Sequence, residues 1–454
     1  MAVETVGADE VEEILGSAIE RREDPALVTG EAEYTDDIQR PALAHMAVVR
    51  SQHAHARVES VDTSAAEAMD GVEGVYTFDD LVSDDTPGEG EFLLPLGWVL
   101  PGLAEVPYPV LARDKVRYQG QPVAVVVAEE RYQARDAADA VVVDYDRLDA
   151  VTDPVAAIAD DAPTLHEDAP DNVAFEFELG DADATASAFD DADRTASLSL
   201  TNQRLIPNAM EPRAAVAEFT PGTGELELSM TTQNPHVHRL LLAGVLGFPE
   251  HKLRVVAPDV GGGFGSKIHV YPDEVLACWT SMQLGRPVKW QATRSESYLT
   301  DRHGRDHRTD VEVALTEDGD VLGLRVDTVA GLGGYLSAFG PAVPTFLYAT
   351  LLSGQYDVPA IHCSVTGAFT TTTPTDAYRG AGRPEASYVV ERIMSAAARE
   401  LDMDPAAIRR RNFVETFPYE TQVASVYESG DYETALDRAL DLVDYEAVRE
   451  RQRT

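Results

Sequence analysis

Hydrophobic and polar positions along the chain change period several times, and each change marks an element. Residues 43–50 and 58–61 carry strand signals, and a short helix is expected from Ala65 to Met69. Residues 81–109 are rich in Pro and Gly and read as a long loop. From Pro122 the chain continues VAVVVA, an apolar run suited to a strand covered on both faces. A helix over Tyr132 to Ala140 and a strand over VVVDYD follow. Strand, helix and strand in that order predict an α/β domain ending near Pro154. The Asp-, Ala- and Pro-rich stretch 160–171 reads as a linker.

Beyond Asn172 three strands each run through a polar or glycine-rich loop toward a helix. Leu226 to Met230 leads into Thr231-Thr232-Gln233-Asn234-Pro235 and a helix from His236 to Leu246, stopped by Gly247. Leu253 to Val256 leads into Asp259-Val260-Gly261-Gly262-Gly263-Phe264-Gly265-Ser266-Lys267 and a helix from about Pro272 to Leu284. A strand around Val365 to Phe369 leads through Thr375-Asp376-Ala377-Tyr378-Arg379-Gly380-Ala381-Gly382-Arg383 to a helix opening at Pro384. Asn234-Pro235 and Pro384 are cap and first-turn signals. Each loop offers free backbone N–H groups at a positive dipole end, so three converging loops would cradle an anionic, oxygen-rich ligand. Arg379 and Arg383 would add fixed charge and forked donors.

Composition narrows the ligand and the setting. The 454 residues are enough for more than one domain, and 44% are hydrophobic. No apolar run follows a basic N-terminal stretch and none reaches membrane-spanning length, so a cytoplasmic protein is expected. Two cysteines, Cys278 and Cys363, exclude a disulfide framework and a cysteine-ligated cluster within the chain. Acidic residues number 79 against 36 basic, a net charge of −43, and only four of the basic residues are lysines. That charge repels nucleic acid and anionic membranes. Spread along the whole length, it reads as a halophile's solvation shell, informative about habitat and silent about reaction.

Two phosphate motifs fail on inspection. A P-loop needs glycine before its lysine and Ser/Thr after it, but Lys267 lies between Ser266 and Ile268. A dinucleotide fingerprint begun at Gly261 and Gly263 needs glycine where Ser266 stands.

Four segments, NAMEPRAAVA (208–217), TTQNP (231–235), VGGGFGSK (260–267) and AYRGAGRPEA (377–386), resemble in order those of the molybdenum hydroxylases. This is the family of xanthine dehydrogenase, aldehyde oxidase and aerobic CO dehydrogenase, through its molybdopterin-binding large subunit. GEAEYTDDI, VRSQHAHA, YQGQPVAVVVA and ERIMSAAARELDMDPAAIRRRN are similar to it too, so the resemblance runs from about Gly30 to Asp444. It implies a mixed α/β, α+β fold: an α/β hammerhead domain, then an incomplete molybdenum-cofactor-binding α+β domain. The expected divisions are a tail (1–22), the hammerhead domain (23–155), a linker (156–171), a first cofactor-binding domain (172–415) and the truncated start of a second (416–454).

By the same resemblance, the cofactor is molybdenum–molybdopterin, its cytosine dinucleotide form left open, with no protein side chain as metal ligand. Gln233 would face the metal's oxo group, the Phe264–Gly265 main chain would donate hydrogen bonds beside it, and Arg379 would line the pocket. Gly262, Gly263 and Gly380 complete the expected cofactor-binding set. The implied reaction is hydroxylation with water as oxygen source. Electrons would leave through an iron–sulfur small subunit and an FAD-binding medium subunit.

Departures from the family pattern bear on substrate. CO dehydrogenases carry a cysteine where Gly380 stands, and purine hydroxylases a glutamate where Ile268 stands. Purine hydroxylases also use an arginine upstream of the third loop, but no Lys or Arg occurs between Arg325 and Arg379, and Ala381 replaces an aromatic clamp. An aldehyde or aromatic heterocycle is therefore expected, with CO or purine oxidation as the alternative.

Other polar groups have plainer readings. His303, His307, Asp301 and Asp306 have metal-like spacing, yet their arginine-dotted setting reads as a solvated loop. His53 and His55 read as structural or surface residues, and Glu211 as a hydrogen-bonded structural carboxylate. The family's general base, a glutamate in a Gly-x-Gly-Glu segment near the end of a much longer subunit, is expected outside this chain, so no catalytic residue is assigned. A fragment, a subunit split between two chains, and a decayed paralogue serving as a binding or assembly module all remain open.

Overall fold

In the computed structural model the described residues are 16–83, 86–87 and 90–453, so the expected tail lies outside them as far as residue 15. The apolar run from Pro122 forms the strand Pro122–Ala128, with every residue buried. Ala124 and Val126 meet Ala137 of the helix Arg131–Ala140, while Val125 and Val127 join a core containing Met46 and Trp279. Two covers on one strand explain why its sequence does not alternate. The helix expected over Ala65 to Met69 is a single turn, Ser64–Glu67.

Seven strands form one sheet in the order Leu253–Val256, Glu225–Met230, Ala214–Thr220, Val288–Gln291, Ala44–Arg50, Pro122–Ala128 and Val72–Tyr76. Its seam is the parallel pairing of Ala44–Arg50 with Val288–Gln291, where Ala44 lies opposite Val288. Strands from both sides of the 156–171 stretch thus share one sheet. The stretch itself carries Leu165 and His166 into buried positions. The two parts of the chain are joined by backbone hydrogen bonds as well as by sequence.

A second sheet of five strands has the order Val173–Gly180, Ile361–Phe369, Val321–Gly333, His307–Leu315 and Arg194–Asn202. The helix Arg383–Glu400 lays Ala386, Val389, Val390 and Ile393 into the core that contains Val311, Val313 and Val326 of this sheet. Lys115–Val116, Ala56–Asp62 and Val142–Arg147 make a small third sheet. The C-terminal helices Tyr432–Leu442 and Tyr445–Arg453 bury no residue. Among the described residues no helix is long and apolar enough to cross a membrane.

Topology places the loops. Glu225–Met230 and Leu253–Val256 pair in parallel, so the loops leaving their C-terminal ends emerge on one edge. Pro235–Leu246 and Pro272–Leu284 follow, each opened by proline and closed by a left-handed glycine, Gly247 or Gly285. The third loop leaves Ile361–Phe369 in the other sheet. It is drawn across by the segment at 303–304, where Asp376 N–H donates to His303 O at 2.9 Å and His303 N–H to Pro374 O at 3.2 Å.

Candidate functional site: three converging loops

The three loops meet. Gln233 N–H donates to Lys267 O at 2.9 Å, and Arg379 N–H donates to Phe264 O at 2.9 Å. The Gln233 side-chain oxygen accepts from Gly265 N–H at 3.0 Å and from Lys267 N–H at 3.4 Å. Both neighbours are donors, which fixes the amide's orientation and leaves its Nε2 without a partner among the described residues. Main-chain N–H groups of Gly262, Gly263 and Phe264 likewise meet no acceptor among the described residues. The Gly265 N–H, expected to serve a ligand, is instead held by Gln233.

Glycine is required here by space. A Cβ at Gly263 would sit 2.3 Å from Gln233 Oε1, and one at Gly265, whose φ is +110°, would sit 2.1 Å from Ala377 O. Phe264 takes a left-handed φ of 56° between them and keeps 42% of its surface exposed. Below the loop, Glu211 Oε2 accepts from Gly261 N–H at 2.7 Å and from Lys267 Nζ at 3.0 Å. Glu211 is thus the hydrogen-bonded carboxylate that its setting suggested. Burial lowers the Lys267 pKa, and the Glu211 charge opposes that shift.

On the third loop Arg379 and Gly380 are exposed. The Arg379 guanidinium lies 6.0 Å from the Phe264 ring centroid and makes no hydrogen bond among the described residues. Arg383 differs: it turns back onto Gly380 O and Ala381 O at 3.3 Å each, and so braces its own loop. Gly380 has φ +102°, and a Cβ there would lie 2.4 Å from Pro384 Cγ.

Beneath the loops lies a charged layer that motif reading missed. Arg213 is fully buried, bonded to Asp301 at 2.7 Å and Asp273 at 3.1 Å, with its guanidinium 3.6 Å from the Tyr271 ring centroid. Tyr271 Oη donates to Ser266 O at 2.6 Å, which fixes the end of the glycine loop. His238 Nε2 donates to His269 O at 2.8 Å, and its Nδ1 lies 2.8 Å from Thr232 Oγ1. His269 Nδ1 in turn is 3.2 Å from Asp376. Arg213 lies inside NAMEPRAAVA and Asp376 immediately precedes AYRGAGRPEA, so the available signal was a charged residue embedded in a run of small residues.

The solvated-loop reading of 301–307 is wrong: Asp301, Arg302, Arg305, Asp306 and His307 are all buried. Pairing makes that burial tolerable, with Asp301 on Arg213, Asp306 on Arg204 and Arg305 on Glu385. Among the described residues no three His, Cys, Asp or Glu side chains are arranged to hold a metal. His55 is buried with its ring 2.6 Å from Asp149 O, and His53 packs edge-on to Tyr145. A Gly-Glu-Gly-Glu string does occur, at 88–91, with residues 88 and 89 outside the described set. A Cβ at Gly90 would meet Val245 O, at the far end of Pro235–Leu246 and roughly 15 Å along that helix from Gln233. Glu91 is therefore not positioned as a base for this site.

Comparison with known proteins agrees with this architecture. Residues 29–149 match the aldehyde oxidase and xanthine dehydrogenase a/b hammerhead domain, and residues 165–413 match the molybdopterin cofactor-binding domain. The chain is 42% identical to the carbon monoxide dehydrogenase large chain of Hydrogenophaga pseudoflava, over 95% of this chain and 54% of that one. It is 34% identical to the nicotine 6-hydroxylase large subunit of Paenarthrobacter nicotinovorans, over 97% and 53%. The solved CO dehydrogenase from Oligotropha carboxidovorans superposes with a TM-score of 0.90 at 36% identity, covering 100% of this chain and 57% of that one. The chain thus spans about half the length of these relatives. The nicotinate dehydrogenase large molybdopterin subunit of Eubacterium barkeri, 30% identical, is matched over 93% of this chain and 95% of its own length. The chain belongs to the family of molybdopterin-binding large subunits of the aldehyde oxidase, xanthine dehydrogenase and CO dehydrogenase enzymes.

Proposed function

We propose that this chain forms one wall of the molybdopterin site of a hydroxylase acting on an aldehyde or aromatic heterocycle, completed by a second polypeptide. The observation that carries the reading is the set of uncommitted donors left where the loops meet: Gly262, Gly263 and Phe264 N–H, Gln233 Nε2 and the Arg379 guanidinium. That set fits an anionic, oxygen-rich group and presents no protein ligand to a metal. The close-packed glycines keep the cradle open, because a Cβ at 263 or 265 would displace Gln233 or the third loop.

Bound there, the cofactor would supply hydroxylation chemistry, with oxygen from water and two electrons passed to iron–sulfur and flavin partner subunits. This chain's own part is to orient and polarise. Gln233 Nε2 and Phe264 N–H would donate hydrogen bonds to the group's oxygens, and Arg379 would balance its charge. The Glu211–Lys267 pair stays neutral as a unit below the loop and holds Gly261 in place.

Substrate class rests on Gly380, Ile268 and Ala381. The backbone at 380 is left-handed and tight against Pro384, so a cysteine there would be strained in this loop. CO oxidation remains the second reading because of the 42% identity to a CO dehydrogenase large chain. A non-catalytic binding or assembly module is the third.

The nicotinate dehydrogenase large molybdopterin subunit is matched over 95% of its own length, so a molybdopterin subunit of this span is compatible with the reading. A positioned base contributes about 10²–10⁴-fold in rate, and none is assigned here. The test purifies the chain alone and with the product of the adjacent downstream frame. It then measures bound molybdenum and acceptor reduction with aldehydes, heteroaromatics, xanthine and CO. Turnover of an aldehyde or heteroaromatic by the combined preparation alone is the expected result. CO or xanthine as best substrate by specificity constant overturns the substrate reading, and full activity of the lone chain overturns the missing-half reading.

A further inference from the structure

Arg305 and Asp306 are consecutive non-glycine residues with φ of 67° and 72°, and both are buried. Such a backbone persists only where its surroundings hold it. Here they do: Asp306 N–H donates to Asn202 O at 3.0 Å, Gly331 N–H donates to Asp306 O at 2.9 Å, and Arg204 pairs with the Asp306 carboxylate at 2.9 Å. The result is to aim one side chain. Arg305 Nη2 donates to Arg379 O at 2.9 Å, while Nη1 donates to Tyr378 O at 3.3 Å and to Glu385 Oε1 at 3.0 Å. The guanidinium also lies 4.8 Å from the Tyr378 ring centroid. Gly304 allows the approach, because a Cβ there would be 2.3 Å from Tyr378 Cβ.

A trans peptide points its C=O and N–H in opposite directions. Arg305 takes the carbonyl of the Arg379–Gly380 peptide from the buried side. It thereby turns the Gly380 N–H, which has no acceptor among the described residues, to the exposed side where the three loops meet. We propose that Arg305 is a positioning residue: by gripping the carbonyls of Tyr378 and Arg379 it presents the Gly380 N–H and the Arg379 side chain to the oxyanionic ligand of the site. The ligand's identity rests on the function proposed above, whereas the grip does not.

Glu385 complicates the obvious substitution. It is buried beside Arg305, and its Oε2 has no partner, so Arg305→Met alone would strand a carboxylate and could unfold the protein. The informative set is Glu385→Gln, Arg305→Lys and the double variant Arg305→Met/Glu385→Gln. Each is made in the full chain and followed by hydrogen exchange at the amides of Arg379 and Ala381, which are bonded to Phe264 O and Tyr378 O.

Glu385→Gln keeps the carbonyl grip and should exchange like the parent. The double variant should exchange roughly tenfold faster at these two amides, with core strand Val321–Gly333 unchanged, and Arg305→Lys should fall between. Loosening by Glu385→Gln equal to that of the double variant would show that the ion pair, not the grip, orders the loop, and would overturn the proposal. Parent-like exchange in the double variant overturns it as well. A second arm measures molybdopterin retained by the parent and the double variant with the completing polypeptide present. Reduced retention in the double variant supports presentation of the loop to that ligand, and equal retention overturns that part. A parent that binds no pterin refutes the proposed function instead, and the exchange result stands apart from it.

Discussion

At the scale of single residues, desolvation holds four histidines neutral while the arginines and carboxylates beside them stay paired as ions. Burial lowers the pKa of His269 to about 4 and those of His166, His303 and His307 to about 3. The sign of the pH effect follows. Below an ordinary value of about 6.5 the unfolded chain binds protons at these histidines while the folded chain does not. Stability is therefore full above that value and falls as pH drops toward the folded pKa values, by up to about 1.4 kcal/mol per pH unit per histidine. His307 packs edge-on to Tyr348 with its Nδ1 unpaired, so His307→Phe keeps a ring and removes a proton site. Chemical denaturation in molar salt between about pH 6.5 and 4.5 should show a slope shallower by about one proton in that variant. An unchanged slope refutes the assignment. The same residues mark where sequence reading stopped. Gln233, Phe264 and Arg379 are legible because motifs surround them. The 301–307 stretch looks solvated in sequence because its burial depends on partners, Arg204, Arg213 and Glu385, scattered over nearly two hundred residues.

At the scale of elements, period and punctuation located what is local and missed what is distant. The strand from Pro122, the helix Pro272–Leu284 and the three strand-to-loop transitions follow from apolar runs and caps. The pairing of Ala44–Arg50 with Val288–Gln291 leaves no trace in either segment, because parallel partners far apart in sequence share only a need for burial. Glycines separate into two kinds by the same logic. Gly265 needs its positive φ and its missing Cβ, so Gly265→Ala should cost on the order of 1–3 kcal/mol from backbone strain, and more from its clash with Ala377 O. Gly244 sits exposed within Pro235–Leu246 with open space where a Cβ would go. Gly244→Ala should therefore stabilise by up to about 1 kcal/mol. Denaturation midpoints that move in opposite directions are the expected outcome. A neutral Gly265→Ala would mean that the second and third loops do not press together as described.

At the scale of the whole molecule, charge acts in two layers that respond differently to salt. The inner layer is paired: Arg213 with Asp273 and Asp301, Arg50 with Asp273, and Arg305 with Glu385 are all shielded from solvent. Screening ions reach such pairs poorly, so their contribution should change little with ionic strength. The outer layer carries most of the −43 net charge, and there like charges repel through water. The Debye length falls from about 10 Å near 0.1 M salt to about 3 Å near 1 M, shorter than typical spacings between surface carboxylates. Folding brings those carboxylates closer than they are in the extended chain, so the unscreened repulsion opposes compaction. Thermal or chemical melts should therefore show stability rising steeply as chloride salt increases over that range, then flattening once neighbouring charges are screened. Sucrose strengthens effective burial without screening charge, and it should reproduce little of the rise. Equal stability in dilute buffer and molar chloride would mean that self-repulsion does not limit this fold. A rise matched by sucrose would assign the effect to exclusion from the surface instead of to charge.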